Sequence, residues 1–319
     1  MNTPERLSLA PTGAYCQRPQ LLGLRFIARN LHLFSQRPAK SQQAGQVRTR
    51  FRGRGMDFEE VRLYQPGDDV RSIDWRVTAR TQIPHTKVYS EERERPVHLI
   101  CDQRPGMFFG SINCFKSVLA AHITALFGWA TLKHGDRLGA LVIHQQGAEE
   151  IKPRRSKHAV LQLLQALERH NHELQSPLGA SDFSLAEALR DTRRVARPGS
   201  AAFIISDFHD LNEDCERQLF ELARHLDITL IAISDPLEEH LTDAASLTVS
   251  NGRERFRLPA NRREFRERFA QLAQSRRERL TQVARRLQVE VIAVSTADDV
   301  NQRLLQRFGV RTVRRRATR

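Results

Sequence analysis

From residue 97 onward, short apolar runs alternate with longer stretches whose apolar residues recur every three or four positions. Residues 97–102, 137–144, 201–207, 228–234 and 289–294 are runs of strand length. Residues 114–133, 157–170, 185–195, 213–226 and 299–308 read as helices, with Val160, Leu163, Leu164 and Leu167 of the second on one face. A strand covered on both faces loses the in-out alternation of a half-exposed one. This order therefore predicts an α/β fold, a mostly parallel sheet with helices on both faces. Ligands of such sheets bind beyond the carboxyl ends of the strands, where Asp102 and Asp207 fall. The uncharged run 117–132 is shorter than the roughly 20 residues of a membrane helix and contains His122. A buried core helix is expected there, with no membrane insertion.

The flanks are less regular. Residues 1–20 read as unstructured, and 21–34 as an amphipathic helix presenting Leu22, Phe26, Leu31 and Phe34. Residues 38–46 form a polar linker. Residues 247–258 predict a hairpin around Asn251-Gly252. Asn261 is the expected cap of a long helix, with Glu264 completing a capping box. Phe265, Phe269, Leu272, Leu280, Val283 and Leu287 give that helix an apolar stripe, with arginines mostly outside it. The resulting division is an arm and helix (1–45), a charged segment (46–96), an α/β core (97–310) and a basic tail (311–319).

The charged segment carries the most specific pattern. Residues 51–80 read FRGRGMDFEEVRLYQPGDDVRSIDWRVTAR, with acids, bases and aromatics interleaved and Pro66-Gly67 marking a turn. A solvated charge run needs no such threading, so an ordered element of strands and tight turns, interlocked by ion pairs, is expected. Trp75 serves there as a core anchor or as a contact hot spot. The first role makes Trp75→Ala cost on the order of 3 kcal/mol. Acid–base catalysis by Asp68, Asp69 and Asp74 is the less favoured reading.

Gly53, Arg54, Gly55, Asp57, Phe58, Glu60, Arg62, Tyr64, Pro66, Gly67, Asp68, Asp69, Arg71, Ile73, Asp74, Trp75, Thr78, Ala79 and Arg80 stand in one register. That register resembles the signature of the bacterial domain-of-unknown-function family fifty-eight, and the likeness extends over about 46–235. The resemblance implies a von Willebrand factor A-like core with a small signature-segment β subregion. It also implies a partner, because such proteins are usually encoded beside a MoxR-type AAA+ ATPase. Many relatives carry two membrane helices ahead of the signature; none is evident here, which implies a cytoplasmic protein.

In A domains, an Asp-x-Ser-x-Ser strand end, a Thr and a second Asp hold a divalent cation through oxygens, as Mg²⁺ requires. The first motif here reads Asp102-Gln103-Arg104-Pro105-Gly106, so Arg104 and Gly106 replace the two serines. Phe183 falls near the expected Thr, flanked by Ser181 and Ser184, while Ser206-Asp207 is intact. A permanent guanidinium opposes a metal and is expected to pair with Asp102 or Asp207 instead. The expectation is therefore no metal and no other cofactor. The plainer alternative is that both aspartates only cap turns or helices.

The formal charge is +14, and residues 262–319 hold sixteen Arg against six acidic residues. That excess permits nucleic-acid binding, though no nucleic-acid motif accompanies it. Four cysteines without CxxC spacing fit a reducing compartment, with Cys101 expected as a buried thiol. The twelve histidines are scattered; only His209 lies near the candidate site, and His170 and His172 have no partner at a convincing spacing. No phosphate-loop, zinc-protease, serine-hydrolase or dinucleotide motif occurs. The resulting expectation is a non-catalytic adaptor or regulatory partner of a MoxR-type ATPase, engaging an unidentified protein client. A nucleic-acid-associated factor is the alternative, and a metal-dependent enzyme the weakest reading.

Overall fold

Residues 9–33, 56–66, 68–91, 95–175, 181, 183–243, 247–250 and 254–309 are described by the structure, a computed structural model. They belong to two units, one comprising residues 1–36 with 95–319 and the other residues 37–94.

The larger unit opens with α1 (Arg18–Gly23) and α2 (Arg25–Ala28), two short helices where one was expected. Their buried residues are Leu21, Leu24 and Ala28, joined by Leu31, while Phe26 is exposed beneath the guanidinium groups of Arg25 and Arg29. Phe34 lies outside the described residues. The expected stripe was thus one step out of phase. Residues 9–20 also differ from their unstructured reading. Cys16 is buried in the core and its N–H donates to Asn171 Oδ1 at 2.7 Å, while Trp129 Nε1 donates to the Leu21 carbonyl at 3.0 Å.

The smaller unit contains β1 (Met56–Leu63), a 3₁₀ turn at Val70–Ser72, α3 (Trp75–Thr81) and β2 (His85–Glu91). Its two strands pair antiparallel, Leu63 opposite His85.

The larger unit resumes with β3 (Pro96–Asp102), α4 (Lys116–Lys133), β4 (Arg137–His144), β5 (Gly147–Arg154) and α5 (Lys157–Glu173). It continues through α6 (Leu185–Val195), β6 (Ala201–Ser206), α7 (Glu213–Ala223), β7 (Asp227–Ser234) and α8 (Pro236–Glu239). A hairpin of β8 (Leu247–Ser250) and β9 (Arg255–Leu258) follows where one was expected. The chain closes with α9 (Arg263–Leu287), β10 (Glu290–Ser295) and α10 (Val300–Phe308).

Six strands form the central sheet in the order β10-β7-β6-β3-β4-β5, parallel except for β5. This is the α/β architecture expected from the sequence, a mostly parallel sheet with helices on both faces. On β3, Leu99 and Cys101 enter one apolar cluster and Ile100 enters the other, so both faces are covered. α4 is buried along nearly its whole length. It approaches α5 closely at Gly128, where an added Cβ would stand 3.2 Å from Leu163 Cδ2. All four cysteines are free and buried, and burial pushes the Cys101 thiol up to about 12.

Two local readings need correction. β5 was not anticipated, because only Ile151 of Gly147–Arg154 is buried and the rest has the charged composition of an edge strand. Asn261 does not cap α9. Arg262 occupies that position without a side-chain hydrogen bond, so the sequence pattern was one residue short and no capping box forms.

Candidate functional site

Numbered among themselves along the chain, the sheet strands lie in the order 3-2-1-4-5-6. The reversal falls between β3 and β6, the position at which open sheets of this kind place a ligand crevice beyond the strand ends. Asp102 ends β3 and Ser206 ends β6, so the two halves of the candidate site meet at that position.

Asp102 is 1 % exposed, and its carboxylate is fully engaged. Oδ1 accepts from Arg104 N at 3.0 Å and Arg104 Nε at 2.9 Å; Oδ2 accepts from an Arg104 terminal nitrogen and from Ser206 Oγ, both at 2.7 Å. Arg104 turns its remaining donors to Asp210, at 2.5 and 3.0 Å, and to the Phe183 carbonyl at 3.4 Å. One guanidinium thus joins the end of β3 to the turn after β6. Burial alone would lower the Arg104 pKa, but the bonds and charges of Asp102 and Asp210 outweigh it and the net shift is upward. For Asp210 burial acts the other way and Arg104 again prevails, holding the carboxyl below its ordinary range.

The second cation is Lys116, which is 0 % exposed. It starts α4 and donates from Nζ to Asp207 Oδ2 at 2.7 Å and to Glu238 Oε1 at 2.6 Å. Asp207 also accepts from His209 N at 3.1 Å and faces His209 Nδ1 at 3.2 Å. Burial works against the charged form of both partners, yet their mutual attraction raises the Lys116 pKa and lowers that of Asp207. Beside them, Asp235 accepts from Ser111 N and Oγ at 2.8 and 2.5 Å, Thr296 Oγ1 at 2.6 Å and Leu237 N at 2.9 Å. Gly106 lies over the site: an added Cβ would stand 4.0 Å from Asp207 Oδ2.

The sequence therefore placed Asp102, Arg104, Gly106, Ser206 and Asp207 on one face. It expected Arg104 to pair with Asp102 or Asp207; Arg104 takes Asp102, while Asp207 turns to Lys116. Asp210, Lys116, Glu238 and Asp235 were missed as members. The one available signal was a lysine at the head of an otherwise apolar helix. The aspartates do accept backbone N–H groups as turn-formers do, but the buried cations go beyond simple capping.

An oxygen-coordinated divalent ion does not fit this donor set. Both Asp102 oxygens carry two hydrogen bonds, Asp207 faces an ammonium, and Phe183 has no side-chain oxygen. The two cations hold the carboxylates that such an ion would need.

In the smaller unit, Asp69 and Asp74 accept backbone N–H groups. Asp69 accepts from Arg71 N at 3.0 Å, and Asp74 accepts from Arg76 N and Val77 N at 3.0 and 3.2 Å, capping α3. Asp68 joins Arg62 at 2.8 Å and Gln65 N at 2.9 Å, and its carbonyl accepts from Tyr64 Oη at 3.2 Å. Asp57 and Glu60 lie on β1, opposite Ser90 and Val88. Arg71 and Arg80 are exposed, and Arg54 lies outside the described residues. Trp75 is 69 % exposed, which overturns the core-anchor reading. It stands at the first position of α3, just past the Asp74 cap, where the helix turns it outward.

The profile of the family described as "Protein of unknown function DUF58" matches residues 60–279. The chain belongs to that family. Relatives of this DUF58 protein include the uncharacterized proteins Rv1480 of Mycobacterium tuberculosis and Mb1516 of Mycobacterium bovis. Each is 32 % identical over 203 residues, covering 62 % of the chain. The match spans 61 % of the length of those relatives. Among solved structures, the conserved hypothetical protein BatB of Bacteroides thetaiotaomicron aligns at 14 % identity and a TM-score of 0.43, covering 66 % of this chain and 96 % of BatB. A von Willebrand factor type A protein of Catenulispora acidiphila aligns at 14 % identity and a TM-score of 0.31, covering 47 % of this chain and 35 % of its own. Among the described residues of the DUF58 chain, no helix is long and apolar enough to cross a membrane.

Proposed function

We propose that this DUF58 protein is a cytoplasmic, non-catalytic adaptor or regulatory partner of a MoxR-type AAA+ ATPase, presenting a protein client through its strand-end face and signature segment. The observation that supports this reading is the pinning of the strand-end face by the Arg104 and Lys116 ion pairs, at the position where the A-domain resemblance implies a metal. A face built around a loosely held ion changes shape as the ion comes and goes. A face pinned by buried ion pairs keeps one shape and binds constitutively, so control passes to the partner's nucleotide state. The engaged carboxylates also weigh against the metal-dependent enzyme.

The nucleic-acid alternative loses ground on α9. Arg263 pairs with Glu267, Arg277 with Glu239, and Arg279 and Arg286 with Glu216, so several of its arginines are already neutralised within the fold. Affinity capture of the tagged protein from its native host, in ATP and in ADP, tests the proposal. A AAA+ ATPase identified by mass spectrometry and enriched in one nucleotide state is the expected result. Its absence from both would overturn the adaptor reading.

A further inference from the structure

A second cluster lies outside the locked face, at the carboxyl end of β4. His144 ends that strand, and His170 and Glu173 lie in the last turn of α5. The two imidazoles stack with centroids 4.2 Å apart and planes 2° from parallel. One ligand atom from each of His144, His170 and Glu173 lies within 4.8 Å of the others, the one such group among the described residues. His170 is buried and held from both sides: Nδ1 lies 2.7 Å from Glu173 Oε2, and Nε2 lies 2.8 Å from Glu149 Oε2. Arg169 pairs in turn with Glu149.

We propose that His144, His170 and Glu173 form a binding site for a transition-metal dication, with Zn²⁺ the best match. Two imidazoles and one carboxylate are a donor set of the kind zinc takes when one position stays open, and nitrogen donors disfavour Mg²⁺. The ion would take the place of the hydrogen bond between His170 Nδ1 and Glu173 Oε2; a proton held there moves to Nε2 where that nitrogen is bare and otherwise leaves to solvent. With Nδ1 on the metal, Nε2 would carry the ring's proton and donate it to Glu149, which Arg169 keeps in place. This is the carboxylate–histidine–metal arrangement that fixes a ligand's tautomer. His144 supplies the third donor. Its Nδ1 receives a long contact from Gln146 N, 3.4 Å, which costs little to give up. Ligands about 2.0–2.1 Å from zinc stand closer together than these do. Glu173 is exposed and His144 only partly buried, so both have room to close in.

A plain surface ion-pair cluster would hold His170 without recruiting His144. Calorimetric titration of the full chain with ZnCl₂ at neutral pH separates the two. The expected result is one Zn²⁺ per chain, with binding weakened at least about tenfold in His144→Ala and in Glu173→Gln. Binding should be retained in His158→Ala, an exposed histidine earlier on α5. Far-UV circular dichroism establishes that each variant is folded, and Glu173→Gln, at an exposed position, is the mildest of them. Absence of stoichiometric Zn²⁺ binding, or equal affinity in the folded His144→Ala and Glu173→Gln variants, would overturn the proposal.

Discussion

Arg104 and Lys116 each neutralise buried or half-buried carboxylates that would otherwise stand alone at the strand ends. Removing one member of a buried ion pair leaves the other uncompensated, which typically costs about 3–5 kcal/mol. Arg104→Ser is therefore expected to lower stability by that order, read as the midpoint shift in urea denaturation. Although it introduces a serine hydroxyl beside Asp102, millimolar Mg²⁺ should not recover the loss, because Gly106 and Phe183 still supply no side-chain oxygen and Lys116 remains on Asp207. Full recovery by Mg²⁺ would show that the guanidinium alone kept a metal out. Trp75→Ala makes the opposite prediction. With the indole exposed, its midpoint should move by no more than about 0.5 kcal/mol. A core-sized loss would mean that Trp75 is covered in the intact protein.

At the scale of elements, α6 depends on a reciprocal cap. Ser184 Oγ accepts from Glu187 N at 3.3 Å, and Glu187 accepts from Ser184 N at 2.7 Å. The next residue, Leu185, donates its N–H to Asp210 at 2.9 Å, so this helix start also supports the partner of Arg104. Ser184→Ala should cost about 1 kcal/mol in thermal or urea unfolding. If the cap also positions Asp210, the double variant with Arg104→Ser should lose less than the sum of the single losses. Simple additivity would show that cap and ion pair act separately.

The whole molecule should have a pH range of stability set by its buried titratable groups. Burial lowers His98 and His122 to about 4, so the folded state resists protons that the unfolded chain accepts near 6.5. Their contribution is present above about 6.5 and is lost as pH falls toward 4, at most on the order of 3 kcal/mol each. Asp207, Asp210 and Asp235 are held below their ordinary range, so their contribution is lost only as pH falls below about 4. Lys116 is raised, so its share is complete below about 10.4 and disappears as pH climbs through its higher folded value. Urea midpoints across pH should therefore decline in two stages on the acid side, beginning near 6.5. A flat profile from pH 7 to about 4.5 would mean that the two histidines are hydrated in the folded state.

The parallel α/β fold was legible because a strand covered on both faces must be apolar throughout and a packed helix must repeat its apolar residues. Both constraints are local, and the runs at β3, β4, β6 and β7 met them. The strand-end position of Asp102 and Asp207 followed from the same pattern. β5 was hidden because an edge strand buries little, and the phase of α1 and α2 because arginines cover Phe26 in solvent. Trp75 and the acidic caps around it depended on which way a short helix turns. The pairing of charges was beyond local reading altogether. Arg104 reaches Asp210 across 106 positions and Lys116 reaches Glu238 across 122, and neither spacing has any periodicity to detect. The amino-acid pattern determined the layers and placed carboxylates at the strand ends. Only the crossovers of the chain decided which cations would meet them there, because those crossovers set the distances on which electrostatic pairing depends.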